Sequence, residues 1–136
     1  MRILAIDHGT KRIGIAVSDP GQTMAHPLKT VEVRADGSHL LEIIELARSY
    51  QAGKIVVGLP YNMDGTLGTR GEEVCRWAKE LEEATGLPVV FWDERLSSFE
   101  AEDLLMRNKV NKRRRKGTVD KIAAGIILQG YLDSGR

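Results

Sequence analysis

The sequence is short of several things, and each shortage excludes something. Cysteine occurs once, at Cys75. A lone cysteine closes no internal disulfide and builds no zinc cluster. Set in a helical pattern beside Trp77 and Ala78, it reads as a reduced packing residue rather than a reactive thiol. Excess charge of one sign is also missing. The 20 Lys and Arg against 19 Asp and Glu leave a formal net charge of +1, so no global field drives the chain onto nucleic acid or membrane. Any basic site must be local. No apolar run approaches the length of a membrane span. Residues 1–7 lead straight into an apolar strand, without the cleavage pattern of a secretory signal. A reducing cytoplasm is the expected compartment. Aromatic residues are few, at 5%, and no internal repeat breaks the chain into smaller units.

What remains is ordinary for a globular domain. The 136 residues are 42% hydrophobic and 29% charged, enough for one domain with its own core. Ile3 to Ile6 is a continuous apolar run ending in Asp7, the pattern of a strand buried on both faces. A polar turn, His8 to Arg12, separates it from a second run, Ile13 to Val17, at hairpin spacing. Asp19-Pro20-Gly21 is a turn signal, and a third strand is expected over Leu28 to Val33. Ser38 is placed to cap a helix carrying Leu40, Ile43, Ile44 and Ala47, which runs to Gln51 and is closed by Gly53. Lys54 to Leu59 reads as a buried strand that stops at Pro60.

A long glycine-rich loop, Pro60 to Gly71, follows, and loops of this length are often functional. A second helix carries Val74, Trp77, Ala78 and Leu81 on one face and ends at Gly86. Pro88 to Trp92 is a further buried strand, followed by Asp93-Glu94-Arg95. Ser97 and Glu100 form a capping-box pattern for a third helix reaching Asn108. A basic block then runs from Arg107 to Lys116, expected to be mobile through self-repulsion. Thr118 is placed to cap the last helix, with Ile122, Ala123, Ile126, Ile127 and Tyr131. The order β-β-β-α-β-α-β-α-α predicts a mixed α/β sheet of about five strands with helices on both faces.

The chemistry is expected from carboxylates. Asp7 and Glu94 stand at the carboxyl ends of two buried strands, the edge where sites collect in open α/β sheets. Acids gathered there need a positive charge between them, and hard oxygen ligands suit Mg²⁺ or Mn²⁺. Asp120 has two readings. It can be a first-turn acid opposing the helix dipole. It can also point inward, because residues 120, 123, 124, 127 and 131 share one helical face, and Ala123 and Ala124 permit a close approach. Asp7, Glu94 and Asp120 together suit metal-assisted phosphodiester hydrolysis. Nucleic-acid contacts are expected from Lys11 and Arg12 beside Asp7, from Asn62 and Arg70 of the long loop, and from Lys112, Arg113, Arg114, Arg115 and Lys116, next to the helix of Asp120. Asp64 stands in the same loop. His8 is expected to be a plain polar turn residue.

Four segments carry a resemblance. Residues Asp7 to Ala16 (DHGTKRIGIA), Gly58 to Gly65 (GLPYNMDG), Asp93 to Ser98 (DERLSS) and Val119 to Ala124 (VDKIAA) resemble, in order and spacing, the motifs of the YqgF/RuvX family. The resemblance covers nearly the whole chain. It implies an RNase H-like fold related to the RuvC resolvases and a nuclease whose acids are Asp7, Glu94 and Asp120. It implies two substrates, the 5′ end of precursor 16S rRNA, placed first, and the four-way DNA junction. The assembling small ribosomal subunit is an expected partner, and monomer and homodimer both stay open. Many RNase H-like nucleases carry a fourth acid. Here the middle strand ends Gly58-Leu59-Pro60, with no acid before Asp64, so one well-held ion is expected more firmly than two. Two rivals bear on the assignment. An ATP-binding protein of the actin and sugar-kinase fold needs two such domains, and this chain has length for one. A non-catalytic RNA-binding module would leave the acids structural.

Overall fold

The computed structural model describes the backbone of residues 1–93 and 112–134, and the side chains of these apart from 112–119. The strands are β1 (Arg2–His8), β2 (Arg12–Ser18), β3 (Ala25–Glu32), β4 (Ala52–Leu59) and β5 (Val89–Asp93). The helices are α1 (Ser38–Ser49), α2 (Thr69–Thr85) and α3 (Lys112–Asp133). The helix expected over Ser97 to Asn108 lies outside the described residues.

One mixed sheet has the order β3-β2-β1-β4-β5. The hairpins make β1–β2 and β2–β3 antiparallel, and the crossovers through α1 and α2 make β1–β4 and β4–β5 parallel. β1 is central, and Ile3, Leu4, Ala5 and Ile6 are all buried. Period-two alternation sends these residues to opposite faces. Leu4 and Ile6 pack with Ile13, Ile15, Ile55 and Val57 under α1 and α2. Ile3 and Ala5 pack with Ala16, Val56, Ala124, Ile127 and Leu128 under α3. This double burial explains the unbroken apolar run of β1, and the same parity decides which face Asp7 and His8 occupy.

Several boundaries differ from expectation, each for a local reason. β3 begins at Ala25, because Gln129 of α3 accepts the Ala25 amide at 2.9 Å and holds the strand start against the helix. Ser38 does not cap α1. The Asp36 carboxylate accepts the Ser38 amide at 2.9 Å, and the Ser38 hydroxyl instead accepts from Arg34 Nε at 2.8 Å. The left-handed residue after α1 is Gln51, with φ 55°. Gly53 already lies in β4, which starts two residues earlier than expected, and β5 is shifted by one. Gly86 closes α2 with φ 72°, as its position predicts.

The largest difference is at the last helix. It begins at Lys112, so the second half of the basic block is helical and Thr118 is interior rather than a cap. Lysine and arginine are good helix formers, and extending a helix whose C-terminal half is already packed costs little beyond the nucleus. Asp120 therefore sits about two turns inside α3. The dipole reading, which needs a first-turn acid, falls away.

Candidate active site

Three elements converge on Asp7 and Asp120. Asp7 is the sixth residue of β1 and shares the parity of Ile3 and Ala5, so it lies on the α3 face. Its cross-strand partner is Gly14 of β2. Gly14 shares the parity of Ala16, on that same face. α3 crosses β2 there so closely that a Cβ built on Gly14 would stand 1.9 Å from the Asp120 carbonyl oxygen and 2.9 Å from the Lys121 amide nitrogen. Ala123 and Ala124, both fully buried, continue the contact toward the core. The fold thus lays the backbone of Asp120 directly on the residue opposite Asp7.

The electrostatics follow from this burial. Loss of water raises the Asp120 carboxyl above its usual value, and the hydrogen bond and charge of Arg12 only partly offset that. Arg12 opens β2 on the same face and donates its Nε–H to Asp120 Oδ2 at 2.9 Å. The turn that presents Arg12 is tight: the Gly9 amide donates to the Arg12 carbonyl at 2.9 Å, where a Cβ on Gly9 would fall 2.4 Å from that oxygen. Lys11 is exposed at this turn.

The other face of the same edge carries a second cluster. His8 shares the parity of Leu4 and Ile6, and its ring lies 4.4 Å from the Trp77 ring of α2. Arg70 Nη2 sits 2.8 Å from His8 Nδ1 and also donates to the His8 carbonyl, while Nη1 pairs with Glu73 at 3.2 Å. Burial first, and then the Arg70 charge, lower the His8 pKa to about 4, so the ring is neutral and accepts from the arginine. His8 is therefore a partly buried anchor and not the plain turn residue expected. The clamp fixes Arg70 beside the end of β1.

The other expected residues lie on other elements. Asn62 and Asp64 are exposed in the loop after β4. Asn62 Nδ2 donates to Thr66 Oγ1 at 3.0 Å, and Asp64 accepts from both the amide and the hydroxyl of Thr66. Their hydrogen bonds shape the loop, closed by the Tyr61–Leu67 bridge. Lys112 to Lys116 form the opening of α3, leading along the helix toward Asp120. Glu94 is the residue after β5 and lies outside the described residues. Among the described residues no three His, Cys, Asp or Glu stand together as a metal-binding group. The residues that sequence reasoning passed over are Gly14 and Trp77. A glycine inside the apolar run 13–17 is the signal for the first, since such glycines mark close backbone approach.

Comparison with known proteins places this geometry. A family model described as RuvX, Holliday junction resolvase, matches residues 1–134. A protein of Bacillus cytotoxicus, named as a candidate pre-16S rRNA nuclease, is 48% identical over 136 residues, covering 98% of this chain and 99% of its own. A Bacillus cereus protein of the same name is also 48% identical, with the same coverage. Among solved structures, Thermus thermophilus RuvC in complex with a Holliday junction substrate aligns with a TM-score of 0.63 at 16% identity, over 99% of this chain and 96% of that one. The Fowlpox virus resolvase in complex with Holliday junction DNA aligns at 0.59 and 12% identity, over 98% of each chain. These likenesses give the sheet its class, the RNase H-like fold of the resolvases. No described helix is long and apolar enough to cross a membrane.

Proposed function

The chain belongs to the RuvX family, and on that footing we propose that it is a nuclease hydrolysing phosphodiester bonds, with Asp7, Glu94 and Asp120 as its carboxylates. The observation that carries this reading is the seating of the Asp120 backbone on Gly14, opposite Asp7. β2 carries no side chain at the position where the Asp120 backbone rests, on the face that Asp7 shares.

The donors fit a hard divalent cation, Mg²⁺ or Mn²⁺. They are carboxylate oxygens, they are partly withdrawn from water, and Asp120 already draws a guanidinium to itself. Asp7 and Asp120 would hold the ion, with Glu94 as the third ligand. When bound, such an ion supplies Lewis-acid stabilisation of charge on the phosphoryl group. The rest belongs to the chain. Arg70, held by neutral His8, and exposed Lys11 stand at the same strand edge to receive substrate phosphates. The opening turns of α3, Lys112 to Lys116, supply positive charge to the nucleic-acid backbone along the approach to Asp120. Asn62 keeps the loop after β4 in shape and contributes indirectly. Asp64, tied to Thr66, does not serve as a fourth ligand, which favours a single ion.

The substrate proposed first is precursor 16S rRNA, cut in the maturation of its 5′ end, because the relatives at 48% identity carry that name. The assembling small ribosomal subunit is then the natural partner. The second reading, resolution of a four-way DNA junction, is favoured by the description of the matching family. It requires two active sites and therefore a dimer. Monomer and homodimer are both compatible with the RNA reading. The proposed compartment is the cytoplasm.

The test is a cleavage assay with Mg²⁺ or Mn²⁺ on a labelled precursor 16S 5′ fragment and a synthetic four-way junction, with Asp7→Asn protein as control. Cleavage of the RNA, lost with Asp7→Asn while the protein still melts cooperatively, is the expected result. Faster cutting of the junction by a dimer would move the assignment to resolution. Binding without cleavage of either substrate would make the chain an RNA-binding module.

A further inference from the structure

Building on the metal-dependent reading of the Asp7–Asp120 site, we propose that Arg12 is an exchangeable counter-ion: it neutralises Asp120 until a divalent cation takes that carboxylate, and is then released to a substrate phosphate. Two demands fall on Arg12. It is placed by sequence to meet phosphate, and its Nε–H is bonded to Asp120 Oδ2 at 2.9 Å. While that bond holds, only the terminal N–H groups are left for phosphate, and the guanidinium stays at Asp120.

The geometry favours exchange over a permanent pair. The bond is made by Nε to one carboxylate oxygen, rather than by the paired terminal nitrogens that give a fork-to-fork arginine its strength. The Arg12 side chain is 34% exposed and that of Asp120 22%, so water reaches the pair and its net worth is modest. Arg12 is the first residue of β2, directly after exposed Thr10 and Lys11, so its long side chain can swing outward with no rearrangement of the sheet. Asp120 is partly withdrawn from water, and the positive neighbour that meets its carboxylate in this structure is Arg12. A divalent ion held by the Asp120 carboxylate would take the place of that neighbour and repel the guanidinium.

Linkage has two consequences here. Arg12 competes with the ion, so the pair weakens metal binding, and the ion weakens the pair by the same factor. The protein thereby shows its arginine to substrate only when the metal is in place, which makes productive phosphate binding conditional on a loaded site.

The experiment is read on metal binding, without turnover. Mg²⁺ affinity is measured by calorimetry for the wild type, Arg12→Ala and Arg12→Lys. The Arg12 Nε–H resonance, assigned by its loss in Arg12→Lys, is followed through a Mg²⁺ titration of the wild type. Arg12→Ala is expected to bind Mg²⁺ about three- to tenfold more tightly, with Arg12→Lys between the two. The Nε–H signal is expected to move from a hydrogen-bonded to a solvent-exposed position with the midpoint of Mg²⁺ binding. A resonance that stays in place at saturating Mg²⁺, or an Arg12→Ala affinity no better than wild type, would overturn the exchange. A wild type that takes up no Mg²⁺ would instead overturn the metal reading beneath it, so the two failures are distinguishable.

Discussion

Replacing Gly14 by alanine adds one methyl group at the most confined point of the molecule. That methyl would sit 1.9 Å from the Asp120 carbonyl oxygen and 2.3 Å from its carbon. Non-bonded carbon and oxygen come no closer than about 3.3 Å, so the two backbones must part by more than about 1 Å. The obstacle is main chain on both sides, one strand locked in the sheet between β1 and β3, so no flexible side chain can yield. Overpacking of this kind costs about 1–3 kcal/mol in stability. The functional loss should be larger in proportion, because a displacement of about 1 Å at a reacting centre costs about a hundredfold in rate. The assay pairs urea unfolding with single-turnover cleavage and Mg²⁺ calorimetry. Gly125→Ala, on the same helix as Asp120, is the control: its methyl meets the Pro27 ring of β3 at 3.2 Å rather than the backbone of an acid, and should leave cleavage unchanged. If Gly14→Ala cleaves and binds Mg²⁺ within about threefold of wild type, the seating of Asp120 on Gly14 does not set the site.

The remaining predictions concern distinct parts of the structure. Ile127→Ala should lower unfolding free energy by about 2–5 kcal/mol in chemical denaturation, since Ile127 is fully buried between α3 and the sheet; a loss below about 1 kcal/mol would mean that the α3 face repacks freely. Arg70→Ala should weaken substrate binding and reduce the salt slope by about one, with Mg²⁺ affinity unchanged; an unaltered slope would show that the arginine clamped by His8 meets no phosphate. Asp19 carries the pH prediction. The Met24 amide, followed by Thr23, holds its carboxyl down at about 2. The depressed folded value means that its stabilisation is complete above the unfolded pKa near 3.8 and is lost as pH falls toward 2. Asp19→Asn should therefore flatten the stability curve between about pH 4 and pH 2, and an unchanged acid limb in thermal melts would refute the assignment.

The sheet was legible in the sequence because its signal is local. The continuous run Ile3 to Ile6 belongs to a strand covered on both faces, and the β-branched segment of β4 carries the same mark. Boundaries were less legible where distant groups set them. Nothing near Ala25 announces that Gln129, more than a hundred residues away, would accept its amide. The start of α3 was misplaced for the opposite reason: charge repulsion within Arg107 to Lys116 is a local term, and helix propagation from a packed C-terminal half outweighed it in the residues from Lys112 onward.

The candidate site divides along the same line. Sequence by itself determined which residues are chemically able to act: an acid closing a buried strand, an acid on a helical face otherwise apolar, and basic residues beside each. Side-chain chemistry and periodicity are properties of the chain before it folds. Tertiary structure alone decided who meets whom. It put Arg12 on Asp120 rather than in solvent, turned Asn62 and Asp64 into loop struts, and made His8 the anchor of Arg70. It also made a glycine with no chemistry of its own the point where the Asp120 backbone rests on the residue opposite Asp7. Strand parity and helix crossing fix these pairings, and both depend on contacts between residues more than a hundred positions apart, as between Arg12 and Asp120, which no local pattern encodes.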